Sequence, residues 1–267
     1  MNNQTIEELN NRDLDNCLFS IMIIPTNIYF KEGENLINQK TLYLLFSCNL
    51  RGVRKYISSV FLNNLNNTSS WYDFLQLLKS RGIKNILYAV IPNNDKLSKA
   101  LKLSFPNIEI FISCFETINK LSKYYSTKCS NLLLNDVKKI YLSPTNEEYE
   151  LSLSMFHEKY LEFSFIRDLL QDDLVRAKKY YNVDFELRKF IFSFYFFREI
   201  IKRIVVISHS KNYFISIDEF IEILIPDIIR IESHMFCTRQ ELKNIINKIY
   251  LTKQDLIKPY LWCIISY

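Results

Sequence analysis

The stretch that decides the fold is ILYAVIPNND, Ile86–Asp95. Apolar and aromatic residues run unbroken from Ile86 to Ile91 and stop at Pro92. An apolar run of that length, closed by a breaker, reads as a strand buried on both faces, as in a parallel pair. In open α/β sheets the carboxyl end of such a strand is where ligands and chemistry gather. Here that end reads Pro-Asn-Asn, and the first charged side chain is Asp95.

Working outward, three strands precede it: SIMIIPTNIYFK (Ser20–Lys31), TLYLLFSCNL (Thr41–Leu50) and KYISSVFL (Lys55–Leu62). Short turns holding Gly33 and Gly52 join them, so they form an antiparallel meander. SSWYDFLQLLKSRG then reads as a helix. Ser69 or Ser70 can cap it, and Trp71, Phe74, Leu75 and Leu78 share one face. Gly82 stands just past its end, where a left-handed residue is needed. After Ile86–Ile91 come a helix over about Asp95–Ser104 and a strand over Ile108–Ser113. The order is β-β-β-α-β-α-β.

The second half reads as helices: ETINKLSKYY, NLLLNDVKKIYL, then SPTNEEYELSLSMFHEKY, which opens on Ser143, Pro144, Glu147 and Glu148. Further helices are expected over about 166–181, 184–206, 216–232, 239–249 and 253–265. No internal repeat or low-complexity linker is visible.

Composition bounds the function. Hydrophobic residues at 48% and charged residues at 24% place the chain among folded globular proteins. A formal charge of +5 permits an acidic partner without demanding one. The six cysteines form no Cys-x-x-Cys pair and His157, His209 and His234 supply no neighbouring ligand pattern, so a zinc site is not expected. The polar, acidic start is no signal peptide, and the apolar run Phe190–Phe197 is too short to cross a membrane. A soluble, cytoplasmic protein with no membrane contact is expected.

Several stretches, in order, resemble the mutator-type transposases of bacterial insertion sequences. NRDLDN leads into TNIYFK where that family has Asn-Arg-Pro-Leu-Glu before Asp-Ala-Leu-Tyr-Val-Lys. WYDFLQLLKSRGIKNIL, LSKALKLSFPNIEIFISC, VKKIYLSPTNEEYELSLSMFHEKY and YYNVDFELRKFI each resemble a family segment. The likeness spans about Asn11–Glu232. It implies an α/β, RNase H-like fold: a mixed five-stranded sheet with flanking helices, an α-helical insertion and a helical C-terminal tail. The expected division is a short N-terminal segment (1–18), a core (19–232) with the insertion at about 116–183, and the tail (233–267). Family members carry a DNA-binding region before the core. This chain starts about where the core does, so recognition of transposon ends is not expected from it.

The resemblance also implies a chemistry. Three family carboxylates hold two Mg²⁺ ions that activate the attacking oxygen and stabilise the leaving one. Their slots fall on Thr26, Pro92 and Arg198, so no catalytic residue is intact and no metal or other cofactor is expected. Pro25 beside the first slot also removes a ladder donor from a strand expected to be central. Thr117 stands where the family's Cys-x-x-His, begun here by Cys114, has its His. The acids nearest the slots are Asp95, at a helix start, and Glu199, turned about 100° from Arg198 on a helix. The partner implied is DNA, with no small-molecule substrate and a site at or near the nucleoid. Arg188, Lys189, Lys202 and Arg203 are candidate phosphate contacts, set against their reading as the solvated edge of a core helix. A non-catalytic nucleic-acid or protein-interaction module, homodimeric through the insertion or tail, is the alternative to a transposase remnant.

Overall fold

The computed structural model describes residues 6–32, 36–61, 67–113, 127–191, 203–204, 206–208, 210–233 and 239–261. The chain divides into two compact units, Met1–Ile110 with Ile191–Tyr267, and Phe111–Phe190. The second unit contains the segment expected as the insertion.

The first unit is built on one sheet. β1 (Cys17–Glu32), β2 (Leu36–Asn49), β3 (Arg54–Phe61), β4 (Asn85–Ile91) and β5 (Glu109–Ile112) lie in the order β3-β2-β1-β4-β5. β1 pairs antiparallel with β2, β2 antiparallel with β3, and β1 parallel with β4. This mixed five-stranded sheet with flanking helices is the RNase H-like arrangement. The long apolar run of β4 follows from its place: Ile86 through Ile91 are all buried.

Helices cover both faces. α2 (Thr68–Ser80) and α3 (Asp95–Ser104) pack together on one. There the Trp71 ring meets Tyr43 of β2 edge-on at 4.8 Å, and Phe74 and Leu75 fill in behind it. Asn67, not Ser69 or Ser70, caps α2, accepting from the Ser70 amide at 2.8 Å. Gly82 has φ +110°, and a Cβ there would lie 2.8 Å from the Leu14 carbonyl oxygen. The backbone thus turns where only glycine fits, and Leu14 N–H donates to the Arg81 carbonyl beside it.

On the other face lies α8 (Ile217–Glu232). Phe220 of α8 packs on Phe214, and Phe214 on Phe30 of β1. α9 (Arg239–Ile257) follows, with non-helical geometry at Lys253, near the expected break between two helices. Lys253 pairs with Glu109 of β5 and sits over the Tyr88 ring, while Asn85 donates to the Tyr260 hydroxyl at 2.9 Å. This stretch of the tail is therefore tied to its own sheet. A short helix missing from the sequence reading, α1 (Ile6–Asn11), is held by Arg81, which donates to the Leu9 and Arg12 carbonyls.

The second unit is helical where described: α4 (Thr127–Leu142), α5 (Asn146–Lys159), α6 (Ser164–Ala177), a 3₁₀ turn (Lys178–Asn182) and α7 (Phe185–Ile191), whose last residue is counted with the first unit. Thr145 caps α5 by accepting from the Glu148 amide. The expected helix over Glu116–Tyr125 lies outside the described residues, as does most of the one expected over 184–206 beyond α7. No helix among the described residues is long and apolar enough to cross a membrane.

Candidate functional site

The parallel ladder of β1 and β4 runs from Cys17↔Asn85 to Met22↔Val90 and ends there. β1 continues for ten residues, paired on its other side with β2. Beyond β4 its free edge is partly taken by Phe214. The Phe214 amide donates to the Tyr29 carbonyl at 2.8 Å, and the Lys31 amide donates to the Phe214 carbonyl at 3.0 Å. Between these two partners, over residues 23–28 of β1, lies a notch among the described residues, and it holds Thr26, expected as the first carboxylate slot.

Thr26 is buried at 8% exposure and shares its sheet face with Ile28 and Phe30. Pro92 follows β4 by one residue and is buried. Continued by two residues from Val90, β4 would set Pro92 beside Ile24, one side-chain repeat (about 7 Å) from Thr26. The fold therefore brings the Thr26 and Pro92 slots to one end of the sheet. What it brings there is a hydroxyl and a pyrrolidine ring, and neither is the hard anionic oxygen that Mg²⁺ takes. Among the described residues, no three His, Cys, Asp or Glu side chains are grouped to hold a metal ion. The two described slots do not fit the family's ion pair.

Pro25 finds its explanation in the same notch. β1 is a central strand only as far as Met22, so at Pro25 no rung toward β4 is lost. Its expected cost to a doubly paired strand does not arise.

Asp95 is exposed in the first turn of α3. The cap is its neighbour Asn94, whose side chain accepts from the Lys96 and Leu97 amides, both at 3.1 Å. Arg198, Glu199 and Lys202 lie outside the described residues, as do Cys114 and Thr117, and the Lys189 side chain is not described.

The remaining basic candidates are engaged elsewhere. Arg188 is buried at 6% exposure. Its guanidinium donates to the Ser143 carbonyl at 3.2 Å and the Pro144 carbonyl at 2.6 Å. It lies 4.3 Å from the centre of the Tyr181 ring, and burial holds its pKa below the usual arginine value against the pull of Tyr181. Arg188 thus ties the α4–α5 turn to α7. Arg203 donates to Asp227 of α8 at 2.8 Å, and Arg230 reaches the same carboxylate.

Two side-chain clusters escaped the sequence reading. Arg12 grips Glu232 through two hydrogen bonds, at 2.9 and 2.5 Å, and also donates to the Tyr56 carbonyl. Glu232 in turn accepts from the Tyr56 amide at 2.7 Å. In the second unit, Asp136 accepts from Lys159 at 2.5 Å and from the Tyr160 hydroxyl at 3.0 Å, lining a groove of about 360 Å³ between α4 and α5. Burial works to raise the Asp136 pKa, but Lys159, Tyr160 and Lys139 hold it below the usual carboxylate value. Partners 220 and 23 residues away leave no local signal in sequence.

Comparison with known proteins agrees with this topology. No curated protein matches the chain. The sequence model described as "Transposase, Mutator family" matches residues 2–215, four-fifths of the length and all five strands. It stops just short of α8. With that match over four-fifths of its length and a β3-β2-β1-β4-β5 sheet, this chain belongs to the mutator family of transposases.

Proposed function

We propose that this chain is a transposase core that has lost its two-metal chemistry and acts as a non-catalytic DNA-binding protein, a repurposed or decaying member of its family. The observation that carries the reading is the pair Thr26 and Pro92, set at one end of the sheet with no carboxylate in either slot. Two-metal phosphoryl transfer needs anionic oxygens that bridge and position both ions. A threonine hydroxyl and a proline supply none, and Arg198 at the third slot would bring a positive charge. Asp95 stands on the exposed start of α3, away from the buried face that holds Thr26.

Loss of catalysis leaves the DNA-binding half of the family's task. The mildly basic charge suits it, and so does a cytoplasmic, nucleoid-associated location. A docking role for the tail is less well supported, since Lys253 and Tyr260 are spent on β4 and β5. The test uses the full chain with plasmid DNA. Gel retardation at low salt that weakens steeply as salt rises, without nicking in Mg²⁺ or Mn²⁺, is the expected result. Metal-dependent nicking by the parent chain that is lost in Asp95→Ala and Glu199→Ala would restore an enzyme. Absence of retardation at low salt would remove the DNA-binding half.

A further inference from the structure

Several cations in the described structure carry their own counter-charge, and unpaired exposed ones such as Lys84, Lys179 and Lys243 stand singly. Lys178 pairs with Glu150, Lys159 with Asp136, Lys211 with Glu219, Arg203 and Arg230 with Asp227, and Arg51 and Lys55 with Asp15. α3 is different. Its inner face buries Leu97, Ala100, Leu101 and Ser104. Its outer face presents Lys96, Lys99 and Lys102, all exposed and none with an ion-pair partner among the described residues. They fall at i, i+3 and i+6, spacing at which like charges on a helix repel and weaken it. The one acid of the helix, Asp95, sits at its start.

Position adds a second argument. α3 begins four residues after the last residue of β4, so the stripe starts at the end of the sheet where β4 stops. A duplex laid across that end of the sheet would pass along α3. From Lys96 to Lys102 the helix rises about 9 Å, so the three ammonium groups can meet successive phosphates of one strand.

We infer that the outer face of α3, through Lys96, Lys99 and Lys102, is a DNA-backbone contact of this protein. The contact is sequence-independent, because ammonium groups neutralise phosphates and read no base edges. It rests on the DNA-binding reading above and names the surface that does the binding.

The experiment measures the affinity of the full chain for a short duplex DNA across a salt series. It is repeated with a Lys96→Gln/Lys99→Gln/Lys102→Gln variant. A control variant removes the same charge elsewhere, Lys84→Gln/Lys179→Gln/Lys243→Gln, at three exposed lysines likewise unpaired among the described residues. Three lost phosphate contacts should make the slope of log affinity against log salt shallower by about 2.7, with the control near the parent. The α3 variant should also melt no lower than the parent without DNA, since it relieves repulsion. Equal slopes for parent and α3 variant, or an equal loss in the control, would overturn the assignment while leaving DNA binding intact. Failure of the parent to bind would overturn both.

Discussion

At Gly82 the backbone stands at φ +110°, with the Leu14 carbonyl 2.8 Å from where a side chain would begin. Gly82→Ala therefore meets both a disfavoured backbone and a clash with main chain that cannot swing away. It should cost about 1–3 kcal/mol, read as a lower urea midpoint with an unchanged slope. That role was legible in sequence, because glycine just past an amphipathic helix has a known geometric reason. Arg188 was not legible. In the string it is one basic residue of several beside an aromatic run; in the fold it reaches carbonyls more than forty residues upstream. Arg188→Ala should destabilise by about 1.5–3 kcal/mol, the worth of charge-assisted hydrogen bonds whose acceptors are left behind. Since Arg188 is buried away from solvent, the same variant should leave the salt slope of DNA binding unchanged.

Among elements, the α4–α5 pair offers a test by pH. Asp136 has a lowered folded pKa, so the stability it supplies is present above the ordinary carboxylate value near 3.9. It is lost as pH falls through the lower folded value. Asp136→Asn should lower stability at neutral pH by about 0.2–1 kcal/mol, because Lys159 is half in water. The gap between parent and variant should close below pH 4, as measured by urea melts at several pH values. A gap that widened in acid would contradict the assignment. Which elements could be read from sequence follows from their patterning. β4 and α2 declared themselves by an unbroken apolar run and a 3.6-residue repeat. α1 did not, because six largely polar residues at the chain start become a helix only when Arg12 and Arg81 hold them against β3 and α2. The reach of β1 past β4 was also invisible, since apolar alternation shows that a strand exists and not where its neighbour stops. That reach is what makes Pro25 harmless.

For the whole molecule, the antiparallel meander of β1, β2 and β3 was legible because short turns force antiparallel neighbours, whereas the parallel pairing of β4 with β1 and not with β3 cannot be read from the turns. Thr26 and Pro92, 66 positions apart in the chain, arrive at one end of one sheet. Glu232 lies beyond the family match and yet closes the first unit by gripping Arg12 near its start. The fold is thus held in part by a contact made beyond the residues that the family model matches. The most direct measurement is strand cleavage of plasmid DNA by the purified full chain in Mg²⁺ and in Mn²⁺. The account predicts no nicking above a metal-free control, in conditions where the same protein retards the DNA on a gel. Nicking that requires the metal and disappears on Asp95→Ala or Glu199→Ala would contradict it.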